Sequence, residues 1–438
     1  MTIAVIGAGL AGTTAAIEAA SRGAAVTLYD ARTSVGGRAR TRHHQGYLLN
    51  QGAHALYVDG DAMTFLRQLG REPFGGVPDA AAGVAIAADT TGPLPTGLGS
   101  LLRTPVLRGD RFRLAALFAR LGRLDPRDYR DVSVGEAVRT LLGSGPAARL
   151  GLALFRLSTY GHDPDRASAD AGIVQLRYAQ RHGVRYVDGG WQSIVDALLD
   201  EAVRRGVVVE TGAKVTRVVA PARGAAPTAG VEVFVGGSRR VHEAAILAPG
   251  TPRHVAALLD DGSVDALRWA DAARPSTVAS LDVGLRTPWG EHPPFALGLD
   301  EPMYLSVHAP VARLAPDGHS LVHVGRYLHP DEEPDAARDR AACEALLDRL
   351  RPGWRDDADH VGFHPRLVAA ADQPRAADGG LSGRPGPGVP GMKGVYVAGD
   401  WVGPTGVLAD ASVASGRAAA GLAVDHRARA EAHEPCPK

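Results

Sequence analysis

The chain has 438 residues, 45% of them apolar and 22% charged, which predicts an ordinary globular protein of two or three domains with a large core. Its 48 basic side chains balance 48 acidic ones, so no overall field attracts nucleic acid or an acidic surface. Two cysteines, Cys343 and Cys436, lack metal or redox spacing and are too few for a disulfide framework. No metal site is expected.

From Met1 the sequence runs straight into an apolar strand, Thr2 to Ile6, and no apolar run is long enough to span a bilayer. A cytoplasmic location without a secretion signal is therefore expected. Gly7, Gly9 and Gly12 then form G-x-G-x-x-G, Thr13 to Arg22 is an alanine-rich helix, and a second apolar run, Ala25 to Tyr29, ends on Asp30. Each glycine has a mechanical reason: Gly7 for the tight turn, Gly9 for close approach of a pyrophosphate, Gly12 for close packing of helix on strand. The helix N-terminus faces the phosphates with free N–H groups and a positive dipole end. Asp30 is placed to accept hydrogen bonds from the hydroxyls of an adenosine ribose. Gly386, Gly388 and Gly391 repeat the spacing, but Pro387 and Pro390 interrupt it and no strand precedes it, so that copy reads as a loop.

Beyond Asp30 come Ala31-Arg32, then Gly36-Gly37-Arg38 and Thr41. The paired glycines permit a second close backbone approach, and Arg32 and Arg38 can neutralise phosphate and flavin-side charge. With these residues the chain resembles the flavin amine oxidase superfamily, which includes phytoene desaturases and protoporphyrinogen oxidases. The resemblance implies non-covalently bound FAD and an α/β fold: a Rossmann-like, glutathione-reductase-like FAD-binding domain with an inserted α+β substrate domain. The FAD-binding domain is expected at 1–60, 180–255 and 385–425, the substrate domain at 61–179 and 256–384, and a tail at 426–438.

In chain order, Gly46 to Tyr57 closes the first flavin segment, and the resemblance places Gly52, Ala53 and His54 along the cofactor, with His54 a candidate for proton transfer. Asp61 to about Ala171 carries helical spacing broken by Gly and Pro. Within it, 98–124 joins leucine and phenylalanine to Arg103, Arg108, Arg111, Arg113, Arg120 and Arg123. That surface is expected to bury its apolar side on the domain; the alternative is peripheral membrane contact. Gly189-Gly190-Trp191 opens another helix. The resemblance implies that Val215, on the strand Ala213 to Val219, meets the adenine, and that Pro249, ending Ala244 to Pro249, adjoins the cofactor. Alternating strands from Pro275 to Pro374, covered by a helix at Ala336 to Leu350, predict an antiparallel floor for the substrate cavity, with Tyr304, His308, His323 and Tyr327 as possible liners. Gly394 to Asp400 is a buried strand, and Gly406-Val407-Leu408-Ala409-Asp410 opens a small-residue helix. This matches the family's C-terminal motif, so Gly399 and Asp400 would meet the ribityl or pyrophosphate region and Gly406 and Val407 the flavin ring. Trp401 either flanks the ring or wedges into the core.

No second strand-glycine-helix unit is present to hold a nicotinamide cofactor, so electrons are expected to come from an organic substrate and leave to O2, a quinone or another acceptor. The resemblance implies a dehydrogenase or oxidase that desaturates an apolar or conjugated small molecule by hydride transfer to flavin N5. The three lysines, Lys214, Lys393 and Lys438, fall outside the substrate-domain strands, which disfavours amine oxidation, since amine oxidases commonly keep a lysine near N5. A redox-neutral isomerase and a lipid-binding escort of the Rab-GDP-dissociation-inhibitor kind remain open. Intact Asp30, Arg38 and Gly399-Asp400 argue against the escort.

Overall fold

A computed structural model describes residues 1–431 except 89, 108, 223, 225–228 and 260–262, without the side chains of 98 and 427–431. Arg108, residues 225–228, Cys436, Lys438 and the end of the expected tail lie outside the described residues.

The chain opens with β1 (Thr2–Ile6), α1 (Leu10–Ser21) and β2 (Ala25–Tyr29). It leaves for a first excursion that holds β3 (Val84–Ile86), β4 (Thr91–Pro93), α2 (Pro146–Thr159) and α3 (Ala169–His182). It returns through β5 (Val208–Glu210), the meander β6 (Val215–Val219), β7 (Val231–Val235) and β8 (Ser238–His242), and β9 (Ala244–Leu247). A second excursion carries β10 (Ser276–Leu285), β11 (Phe295–Gly298), β12 (Met303–Ala309), β13 (Ser320–Leu328), α4 (Ala336–Leu350) and β14 (Ala358–Ala370). Finally β15 (Val395–Val397) and α5 (Leu408–Glu431) come back to the start.

Strands β5, β2, β1, β9 and β15 form one parallel sheet in that order. The central ones read as unbroken apolar runs because both faces are covered; Ile3, Ala4 and Val5 are wholly buried. Small residues let α1 and α5 pack backbone to backbone: a Cβ on Gly416 would stand 2.4 Å from the Ala11 carbonyl oxygen. This contact brings the two ends of the chain together. Helices Pro252–Leu258 and Val264–Ala272 share a core with the meander through Val255, Leu258 and Ala266. Trp401 belongs to that core as well, 1% exposed and tilted against Trp269 at 5.7 Å.

The second sheet runs β14-β10-β13-β12-β11-β3-β4 and is antiparallel except where β11 meets β3. Its two faces differ sharply in chemistry. Leu281, Val283, Leu305, Val307, Val322 and Val324 point toward Cys343, Leu347 and Leu350 of α4, and each such buried aliphatic stabilises the sheet by about 1.5–3 kcal/mol. By strand alternation the other face carries Ser280, Asp282, Tyr304, Ser306, His308, His323 and Tyr327, all nearly or fully buried.

The stretch 61–171, expected to be helical, also supplies β3 and β4 to this sheet. The alanines around Val84–Ile86 favour helix locally, but pairing with β11 satisfies their backbone groups and buries Ala85 and Ile86.

Candidate active site

The first turn is built so that only glycine fits at two of its three positions. Gly7 has φ +105° and its would-be Cβ lies 2.3 Å from the Ala248 carbonyl oxygen and 3.3 Å from Pro249 Cα; that of Gly12 lies 1.8 Å from the Gly7 oxygen. Gly9 differs, since a Cβ there meets nothing nearer than the Gly36 oxygen at 3.9 Å. Gly9 forms a parallel bridge with Gly36, and beside it a Cβ on Gly37 would meet only Gly9 Cα at 3.7 Å. Two bare backbone strips therefore lie side by side at the start of α1, whose N-cap Gly9 supplies no side-chain cap. Uncapped N–H groups above side-chain-free backbone are what a pyrophosphate needs.

Asp30 stands at the end of β2 with both oxygens oriented: Oδ2 accepts the Ala8 N–H and Oδ1 the Arg32 N–H, each at 2.8 Å. Each oxygen keeps a second lone pair for a ribose hydroxyl. The Arg32 side chain is exposed. Asp30→Ala is expected to weaken FAD retention, measured as flavin absorbance after gel filtration. Unchanged retention would remove the ribose assignment.

Arg38 and Asp400, 362 residues apart, meet in a bidentate ion pair with Nη2–Oδ1 at 2.6 Å and Nη1–Oδ2 at 2.7 Å. The Asp400 side chain is only 1% exposed and its Oδ2 also accepts the Ala371 N–H. Burial alone would lower the Arg38 pKa, but the charge and hydrogen bonds of Asp400 outweigh it and the net shift is upward. Gly399 is held by the Ser415 hydroxyl, which accepts from its N–H and donates to its carbonyl. Arg384, which the sequence reading missed, donates to the carbonyls of Asp400, Thr405 and Gly406 and so folds the closing turn. Its pKa is pulled down to about 10, chiefly by burial. Val407 packs with Leu381 and Ala171, while Val215 lies in the core shared by Ile6 and Tyr29.

His54 ties two turns together, its Nδ1 3.1 Å from the Gly52 carbonyl oxygen and its Nε2 3.1 Å from that of Arg38. Its ring stands edge-on to Trp191, centroids 4.9 Å apart. Burial lowers its pKa despite the two carbonyls, and each ring nitrogen already faces one of them. The geometry makes it a clamp between the flavin motifs. Thr41 and Asn50 complete the clamp, binding each other and the Gln192 and Trp191 N–H groups. Gly190 at φ +75° leaves room for them, since a Cβ there would reach within 2.5 Å of Thr41 Oγ1.

Next to this turn the second sheet presents its polar and aromatic face. Tyr160, in left-handed conformation at the end of α2, donates to the Ala53 carbonyl at 2.9 Å. Its ring lies 6.2 Å from that of Tyr304 and 6.1 Å from that of Tyr327, which are themselves 5.2 Å apart. Burial pushes the Tyr160 hydroxyl up to about 12 and also raises those of Tyr304 and Tyr327 well above the ordinary tyrosine value, so all three stay neutral.

The profile of the flavin-containing amine oxidoreductase family matches residues 10–424. The chain belongs to that family. This amine oxidoreductase-family protein is a flavin-dependent oxidoreductase with FAD as cofactor, and its mixed α/β fold is that of solved relatives. It is similar to a redesigned putrescine oxidase with three substitutions (TM-score 0.74, 18% identity, 98% of this chain and 100% of that one). It also resembles cyclohexylamine oxidase from Brevibacterium oxydans IH-35A (0.71, 17%, 97% and 99%). A third is a candidate protoporphyrinogen oxidase from Exiguobacterium sp. 255-15 (0.69, 16%, 99% and 99%). At these identities the likeness carries the fold alone. Among curated proteins no relative matches the chain. The glycine strips at Gly9 and Gly37, the anchored Asp30 and the uncapped α1 N-terminus fit FAD on their own geometry.

Proposed function

We propose that this flavin oxidoreductase dehydrogenates an apolar or conjugated organic molecule, with O2 or a quinone as the electron acceptor. The observation that supports this most is the ring cluster beside Ala53: Tyr304 and Tyr327 buried on the sheet face, and half-buried Tyr160 reaching them from the end of α2. Such rings contact flat or greasy substrates through their faces and keep water from the reacting carbon. Near them Arg156, 6% exposed, donates to the carbonyls of Gly298 and Leu299. A buried cation there disfavours a second cation such as a substrate ammonium. Lys214 stands just before β6 and Lys393 just before β15, neither on a strand of the second sheet.

When bound, FAD supplies the acceptor for a hydrogen removed with its electron pair. The chain's own part is to hold the pyrophosphate on Gly9 and Gly37, orient the ribose by Asp30, and brace the turn Gly52–His54. The test is anaerobic reduction of the bound flavin by a polyene, a porphyrinogen and a set of primary amines. Fast bleaching of the flavin absorbance by the conjugated compounds is expected, and bleaching by an amine alone would overturn the substrate class.

A peripheral membrane contact through 98–124 forms part of the same proposal. Leu101, Leu114 and Leu121 are buried, but Phe112 is 87% and Leu102 58% exposed beside Arg103, Arg111 and Arg113. No helix among the described residues is long and apolar enough to cross a membrane. Sedimentation with anionic vesicles, reduced several-fold by Phe112→Ser, is the expected result; a protein that stays in the supernatant has no such contact.

A further inference from the structure

On the face of the second sheet that looks toward Gly52, a carboxylate is shut away from water. Asp282 on β10 is 1% exposed, and directly across the register stands His323 on β13, 0% exposed, with Nδ1 2.8 Å from Oδ1. The Ser280 hydroxyl donates to the same oxygen at 2.9 Å. On the other side Oδ2 lies 3.7 Å from Nε2 of His364, which is 40% exposed. Nε2 of His323 is buried without a hydrogen-bond partner. Its ring meets that of His308 edge-on at 4.6 Å, and His308 in turn stacks on Tyr186 at 3.7 Å. Above this group the backbone of Gly52 covers Ser280, since a Cβ built on Gly52 would lie 3.4 Å from Ser280 Oγ.

Apolar side chains would fill this space at no loss of stability, because a buried charge, even one held by hydrogen bonds, seldom repays its desolvation. The pair therefore calls for a chemical reason. We propose that Asp282 and His323 form a buried proton store beneath the turn Gly52–His54, loaded when the bound flavin is reduced. The proposal rests on the reading that this turn faces the flavin.

The chemistry balances simply. Oxidation of a substrate sends one hydrogen, with both electrons, to FAD and releases a second hydrogen as a proton. His323 Nε2 binds that proton while Nδ1–H stays donated to Asp282, so a site with one net negative charge becomes a neutral ion pair. Neutralising a buried charge is favourable, and negative charge gained by the flavin nearby favours it further. The titratable groups facing the pair are Tyr304 and His308 on β12, His360 and His364 on β14, and His54 from the turn. From the opposite face the Cys343 thiol of α4, held neutral by burial, also feels the Asp282 charge. Asp282 and His323 act as positioning residues for the proton and are not assigned contact with the substrate.

The test counts protons. FAD-loaded protein is reduced with dithionite near neutral pH, and a pH-indicator dye reports uptake from solvent. Native protein is expected to take up one proton more than Asp282→Asn, which keeps the shape and the Ser280 hydrogen bond, and one more than His323→Gln. In imidazole 15N spectra, His323 is expected to carry its proton on Nδ1 before reduction and on both nitrogens after it. Equal proton counts, or an unchanged His323 signal on reduction, would overturn the store. If native protein takes up no FAD, the reading of the flavin site falls instead, so the two failures are distinguishable.

Discussion

Replacing Arg38 by methionine is expected to cost about 3–5 kcal/mol of stability and to release the flavin. The reason is asymmetric: the substitution leaves the Asp400 carboxylate at 1% exposure with the Ala371 N–H but no paired cation, since Arg384 hydrogen-bonds only the Asp400 backbone carbonyl, and a buried charge stripped of its partner costs far more than the pair contributes. Arg38 also gives up its hydrogen bond to the Ala369 carbonyl. A second substitution separates the two effects. In Arg38→Met with Asp400→Leu the orphaned charge is gone, so urea unfolding is expected to recover most of the loss, whereas flavin retention after gel filtration is not. If Arg38→Met stays within about 1 kcal/mol of the native protein, the pair is hydrated and does not join the chain ends as described.

That pair also shows where the sequence was legible and where it fell short. Gly7, Gly9, Gly12 and Asp30 could be read because their constraints are local: a turn, a helix start and a strand end within thirty residues. Arg38 and Asp400 could each be assigned to a flavin motif, but their contact across 362 residues depends on α1 packing against α5 and leaves no trace in spacing. The seven-stranded sheet was recognisable through alternation on β10, β12 and β13, and its helix α4 through periodicity. The short strands β3 and β4 were not, since three residues among alanines carry no period and only pairing with β11 makes them strands. Asp282 carried a usable signal, being an acid at an alternating position inside an otherwise apolar run, Leu281-Asp282-Val283. Nothing local said that His323 stands opposite it, because register is a property of two strands.

At pH 8, Asp410→Asn is expected to make the protein more stable by up to about 4 kcal/mol. Asp410 sits near the start of α5, 2% exposed, where its Oδ1 accepts the Ala62 N–H at the head of the helix Asp61–Gln68. Burial raises its pKa to about 7, the single hydrogen bond offsets only part of this, and the like charge of Asp61 adds to the rise. The sign follows from the carboxyl being a weaker acid folded than unfolded. Between about pH 4, the unfolded value, and pH 7 the native protein keeps a proton that the unfolded chain has released. Stability therefore falls as pH rises through this window and levels off above it. Asparagine keeps the acceptor for Ala62 and has no charge to desolvate. The positive end of the Asp61–Gln68 helix favours the carboxylate, which places the measured gain below that ceiling. Urea unfolding of both proteins from pH 4.5 to 8.5 is expected to show a gap that opens with pH and then stays constant. A gap independent of pH would mean that Asp410 is ionised throughout and that the helix end, with the Ala62 hydrogen bond, outweighs its burial.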